Sequence, residues 1–273
     1  MKFGMCNEFC EGWELERVCA LAADAGYDGV EIAPFTLADS VQTIPPGQRS
    51  ELQDTVAAHG LEVVGLHWLL VKPEGLHLNS PDADVRRRTL DYLHAEIDFC
   101  ADIGGRVMIL GSPKQRNVPP GQSYQDVWER IVKTARDLGE HAQLRDVCVC
   151  IEPLGPEETN FIHTAEQARR LVKEVDHPGF RMMLDVKAMA ADEEPTPQII
   201  RESADLLGHF HANDANRSGP GFGETDFEPI ANALYEIGYD GYVSVEVFDF
   251  SPGPERIARK SIEYLRDVFS RAH

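Results

Sequence analysis

Four short apolar runs between residues 147 and 248 each end on a side chain that binds hard cations. They are VCVCIEP with Glu152, FRMMLDV with Asp185, GHFHAND with His211 and YVSVEVF with Glu246. The gaps of 33, 26 and 35 residues each match about one strand–helix–strand unit. Four successive strands would therefore carry one ligand apiece to the same end of a sheet. Two glutamates, an aspartate and one imidazole form an oxygen-rich set that favours Mn²⁺, with Mg²⁺ or Co²⁺ as alternatives, over a thiolate-type zinc site; Zn²⁺ is also compatible. Two carboxylates beside one cation can bind it and still work as acid and base. One removes a proton from carbon, the other returns a proton, and the cation steadies the enediolate between the two steps. Glu152 and Glu246 would form that pair. The competing reading makes them structural partners of Arg181, Arg217 or Lys187.

The elements needed to hold these residues recur along the whole chain. Strand-like runs at 2–6, 28–34, 61–70 and 106–112 precede the four ligand strands. Helical periodicity is predicted over 12–25, 48–59, 82–103, 123–144, 164–175, 196–206, 227–237 and from Pro254 to about residue 270. Eight strands alternating with eight helices, with no linker or low-complexity tract, imply an α/β protein: a single (β/α)₈ TIM barrel as one domain over 1–273. In such a barrel the chemistry gathers at the carboxyl ends of the strands, where all four ligands fall. Period-2 alternation groups Cys148, Cys150 and Glu152 on one face, Met183, Asp185 and Lys187 on another, and Ser244, Glu246 and Phe248 on a third. His209, two residues before His211, is expected to pack or support rather than ligate.

Composition narrows the partners. Acidic residues outnumber basic ones 46 to 26, for a formal charge of −20. Such a surface repels a phosphate backbone, so no nucleic-acid partner is expected. No apolar run approaches the roughly 20 residues of a membrane span, and no membrane partner is expected either. The first residues read as a strand rather than a secretory leader. The six cysteines lack zinc-ribbon spacing and suit reduced core thiols in a cytoplasmic enzyme. Glycines 219, 221 and 223 read as a flexible loop, not as a dinucleotide cradle.

Several segments carry a resemblance. In order along the chain, GLHWLL (65–70), IEPLGPEETNF (151–161), MLDVKAM (183–189), FHANDANRSGPGFGETDF (210–227) and VSVEVF (243–248) resemble the sugar isomerase/epimerase superfamily. This is the xylose isomerase-like barrel, and within it the ketose 3-epimerase and hydroxypyruvate isomerase-like enzymes. The resemblance implies one divalent metal held by Glu152, Asp185, His211 and Glu246, with Glu152 and Glu246 as the acid/base pair. It implies substrate contacts from Glu158 and Arg217, a pocket lined by His67 and Trp68, and an apolar wall that includes Phe248. The implied activity is isomerisation or epimerisation of a ketose or related keto-sugar in carbohydrate metabolism, by a homodimer or homotetramer.

One departure stands out. The family places a histidine three residues after the strand-6 aspartate, and here that position is Ala188, preceded by Lys187. On a strand, Lys187 would share the Asp185 face and reach the pocket as electrophile or proton donor; it could equally pair with Asp185 or point to solvent. The change opens elimination on an oxidised sugar or cyclitol, as in an inosose dehydratase-like lyase. An abasic-site endonuclease is disfavoured by the charge and by Gly111, Ala188 and Glu228, where further histidines would be needed. A non-catalytic sugar-binding barrel is disfavoured by the presence of both glutamates.

Overall fold

The computed structural model describes residues 1–272. Eight strands, β1 (Lys2–Cys6), β2 (Gly29–Ile32), β3 (Glu62–Leu66), β4 (Val107–Leu110), β5 (Cys148–Ile151), β6 (Phe180–Asp185), β7 (Leu207–Ala212) and β8 (Tyr242–Val245), pair in sequence order into a closed barrel. Every pairing is parallel, and β8 returns to β1 with Lys2 opposite Tyr242 and Met5 opposite Val245. The strands are near-continuous apolar runs because both faces are buried, one in the barrel and one under helices.

Ten helices connect them: α1 (Leu15–Ala25), α2 (Pro46–Ala58), α3 (Ala83–Asp102), α4 (Pro113–Arg116), α5 (Tyr124–Leu144), α6 (Ala165–Val175), α7 (Val186–Met189), α8 (Thr196–Glu202), α9 (Glu228–Glu236) and α10 (Pro254–Arg271). Some start where side chains satisfy free backbone N–H groups: Asp82 accepts from Asp84 N before α3, Ser123 from Asp126 N before α5, and Thr164 from Gln167 N before α6. Each lays an apolar stripe on the outside of the barrel, as with Val127, Ile131, Ala135 and Leu138 of α5. Between strands there is little room. A Cβ at Gly65 would come 1.9 Å from the Val107 carbonyl oxygen, so this glycine is fixed by close approach of β3 to β4.

Three expectations change. The third strand, predicted over 61–70, stops at Leu66, because Trp68 (φ 53°) and Leu70 (φ 62°) leave the extended region. The helix predicted over 196–206 ends at Glu202 and is followed by a 3₁₀ turn at Ala204–Leu206. The loop with glycines 219, 221 and 223 is not merely flexible: a Cβ at Gly219 would meet Ser261 Oγ at 2.3 Å, and one at Gly223 would meet Asp214 Oδ1 at 2.2 Å. All six cysteines are free thiols. Among the described residues no helix is long and apolar enough to cross a membrane.

Candidate active site

Glu152, Asp185, His211 and Glu246 converge at the carboxyl end of the barrel, each buried, with one ligand atom apiece within 4.8 Å of the others. Strand register explains this. Asp185 pairs with His211 across β6 and β7, and His211 with Ser244 across β7 and β8, so Glu246 stands just past the end of β8. Glu152 follows β5, and Gly111 leaves it space, since a Cβ there would lie 2.3 Å from Glu152 Oε2. The buried Arg116 guanidinium donates to the Glu152 carbonyl at 2.6 Å and fixes the backbone.

Each of the other three is braced by named partners. Asp185 caps α7, its Oδ1 accepting from Ala188 N at 2.8 Å while Oδ2 accepts from the Asn213 amide. Glu246 Oε1 accepts from Trp68 Nε1 at 2.8 Å, and Oε2 lies 3.1 Å from His211 Nδ1. The far nitrogen of His211, Nε2, lies 2.9 Å from Glu31 Oε1.

The electrostatics follow from three carboxyl groups in one dry space. Burial, then the charges of Glu246 and Asp185, push Glu152 well above the usual carboxylate range. Burial and Glu246 push Asp185 up to about 6. Burial would raise Glu246 too, but His211, His67 and the Trp68 N–H outweigh it and hold Glu246 below its ordinary value. His211 is disfavoured as a cation by burial, yet Glu31 and Glu246 on its two sides raise it well above its usual value. Converging hard oxygens that repel one another, completed by one imidazole, are the donor chemistry of a divalent-cation site. The residues present fit such an ion.

Above this cluster lies a cavity of about 530 Å³, lined by Trp68, Glu152, Glu158, Arg217, Glu246 and Phe248 among others. Trp68 stacks on Phe248 at 6.4 Å between ring centres, with Phe35 at 5.7 Å from Trp68 on the other side. The Arg217 guanidinium sits 5.6 Å from the Phe248 ring and has no acidic partner among the described residues. His67 is not in the lining. It is fully buried beneath, its Nε2 2.8 Å from Glu8 Oε2, because β3 has already ended when the chain reaches it.

Lys187 departs from its strand-based placement. The chain coils into α7 directly after Asp185, so the two side chains no longer share a face. The Lys187 ammonium instead bonds both Glu158 oxygens at 2.9 Å and covers the Phe248 ring at 4.2 Å. It neither pairs with Asp185 nor points to solvent. Arg181 is spent on the backbone carbonyls of Asp205 and Leu207, whereas the Lys187 charge, without bonding the cluster, partly offsets the upward push on Asp185 and Glu152.

Three site residues were not singled out from sequence, Glu8, Glu31 and Asn213, nor was the bond between His209 and Glu31. His209 Nε2 lies 2.8 Å from Glu31 Oε2. Glu8 Oε1 accepts from Val247 N at 3.1 Å, next to Glu246. The available signal was a glutamate inside the apolar run DGVEIAP, where a lone buried acid requires a partner.

The architecture is a closed parallel barrel with four side chains able to hold a metal ion gathered at its carboxyl end. Residues 19–268 match the xylose isomerase-like TIM barrel family, and the chain belongs to it. It is 37% identical over 261 residues to the D-psicose 3-epimerase of Ruminiclostridium cellulolyticum, covering 91% of this chain and 84% of that one. It is 25% identical over 252 residues to the L-ribulose 3-epimerase of Mesorhizobium japonicum, covering 91% and 80%. Among solved structures, the D-psicose 3-epimerase of Clostridium cellulolyticum H10 with D-tagatose superposes with a TM-score of 0.84 at 25% identity, over 98% of this chain and 99% of that one.

Proposed function

We propose that this protein is a divalent-metal-dependent epimerase of a ketose or related keto-sugar. The observation that carries the reading is the convergence of Glu152, Asp185, His211 and Glu246, the two glutamates lining an open pocket, in a chain whose relatives are named ketose 3-epimerases. These four residues would hold one ion, Mn²⁺ being the best match to a mixed carboxylate and imidazole set. When bound, the ion supplies the positive charge that polarises the keto oxygen and makes the adjacent carbon acidic.

The chain's own residues do the rest. Glu152 and Glu246 approach from β5 and β8, so one carboxylate can take a proton from one face of the carbon and the other can return one to the opposite face, which inverts it. Trp68 holds Glu246 by its N–H and, with Phe248, presents an aromatic wall to the C–H side of a sugar. Arg217, without an acidic partner among the described residues, is placed to donate to substrate hydroxyl oxygens, and Glu158, held by Lys187, to accept from them. Because Lys187 is bound to Glu158 and packed on Phe248, it is poorly placed to protonate a leaving group, which weighs against elimination as the main reaction.

The test is turnover on a panel of ketohexoses, ketopentoses and 3-keto-sugars, with Mn²⁺ and after chelation, analysed by chromatography. Appearance of an epimer that depends on the ion supports the proposal. Dehydrated products instead, or turnover indifferent to chelation, would overturn it.

A further inference from the structure

Glu31 belongs to β2, a strand that contributes nothing to the four-residue cluster, and its carboxylate is completely buried in the barrel. It reaches across the interior to the imidazoles of β7. Oε1 lies 2.9 Å from His211 Nε2, Oε2 lies 2.8 Å from His209 Nε2, and His67 Nδ1 stands 3.9 Å from Oε1. We propose that Glu31 is a positioning residue for the metal centre: clamped by His209, it fixes the ring orientation and tautomer of His211 so that Nδ1 faces the ion. This rests on the metal-dependent reading above.

The argument is one of hydrogen-bond inventory. An ionised carboxylate has only lone pairs to offer, so both Nε2 atoms must carry hydrogens. A neutral His211 with its hydrogen on Nε2 has its lone pair on Nδ1, and that atom points at the cluster, 3.1 Å from Glu246 Oε2. Without an acceptor below the ring, the hydrogen could sit on either nitrogen, and the ring could flip. Glu31 removes both freedoms, as outer carboxylates do for metal-bound histidines generally. His209 has a separate task. By taking the second oxygen it prevents Glu31 from rotating away, and its ring packs edge-on to His211 at 5.1 Å. A carboxylate with a single imidazole partner could pivot about its side chain; one held at both oxygens cannot.

A purely structural reading would have Glu31 merely satisfy two buried histidines. The two readings separate in Glu31→Gln. A carboxamide has one oxygen, so it can accept from one imidazole only, and its N–H₂ pushes the other towards the wrong tautomer. In His209→Gln, the amide N–H can still donate to Glu31, and the charge below His211 is retained.

Mn²⁺ affinity is measured by electron paramagnetic resonance on the purified full chain, alongside circular dichroism melts of the same proteins without metal. Glu31→Gln is expected to fold and to bind Mn²⁺ about 10–100-fold more weakly, while His209→Gln stays close to wild type. In the Mg²⁺-saturated wild type, nitrogen-15 spectra of the histidine rings are expected to place the His211 hydrogen on Nε2. Equal Mn²⁺ affinity in Glu31→Gln, or a His211 hydrogen on Nδ1 in the wild type, overturns the inference even if the variant folds poorly. A wild type that binds no Mn²⁺ overturns the metal reading and this inference with it.

Discussion

The two halves of the barrel mouth are built to different purposes. β5 to β8 each deliver one residue of the cluster: Glu152, Asp185, His211 and Glu246. The first three strands and the residues that follow them deliver none, but they supply what holds that cluster: Glu8 on His67 and Val247 N, Glu31 on His209 and His211, and Trp68 on Glu246. In the proposed reading one half carries the chemistry and the other fixes its geometry. Glu8, Glu31 and Glu246 each find a partner far away in sequence, whereas Asp185 is held by Ala188 N just beyond it and by Asn213 after the neighbouring strand.

The largest effect is expected from the first half. Glu152→Gln and Glu246→Gln should each lower kcat by about 10²–10⁴-fold, the range for losing a positioned acid or base, with folding retained. Near-normal rates in either variant would remove that glutamate from the reaction. Stripping the protein with a chelator should abolish turnover and lower Tm, and Mn²⁺ at about 100 times its Kd should restore about 2.7 kcal/mol of stability by binding only the folded chain. An unchanged Tm on Mn²⁺ addition would contradict a resident ion.

The second half should give smaller losses of a different kind. Trp68→Phe keeps an aromatic ring against Phe248 but deletes the N–H donated to Glu246, a bond to a charged group worth about 1.5–3 kcal/mol. The expected result is a fall in kcat of roughly tenfold or more with KM little altered. A change confined to KM would make Trp68 a wall and nothing more.

The smallest effect lies outside the mouth. Glu96 of α3 is fully buried, and burial, only partly offset by the backbone N–H of Leu70, raises its pKa well above the ordinary value. The folded state therefore binds this proton more tightly than the unfolded chain. The stabilisation is complete below the unfolded pKa near 4.3 and is lost as the pH rises through the raised folded value. Glu96→Gln should flatten that loss, so its Tm relative to wild type should be higher at pH 8 than at pH 5, by about 2–4 °C for each kcal/mol. A parallel pH profile in the two proteins would show that Glu96 does not titrate over this range.

The same division governs what could be read from sequence. The eight-fold alternation and the convergence of Glu152, Asp185, His211 and Glu246 were legible, because residues at the ends of successive parallel strands recur at the spacing of one strand–helix–strand unit. Glu8 and Glu31 were not. Glu31 and His211 are 180 residues apart in the chain, and no local period links them. Lys187 was misplaced for a local reason: two-residue alternation was carried past Asp185, where the backbone turns into α7 and Ala188 N bonds back to Asp185. His67 was placed in the pocket by the resemblance and by a third strand drawn too long, whereas β3 ends at Leu66. Periodicity reports side-chain direction only while the backbone stays extended, and at a barrel mouth it stops being extended where the chemistry begins.

The most direct test of the central claim is proton NMR of the Mn²⁺-activated, then Mg²⁺-exchanged, enzyme in D₂O with a ketose it turns over. If Glu152 and Glu246 exchange a carbon-bound proton, the signal of the hydrogen beside the carbonyl should vanish as the epimer appears, and it should persist with either glutamine variant. Epimer formed with that hydrogen fully retained, or wash-out that continues undiminished in both variants, would contradict the assignment of the reaction to this pair.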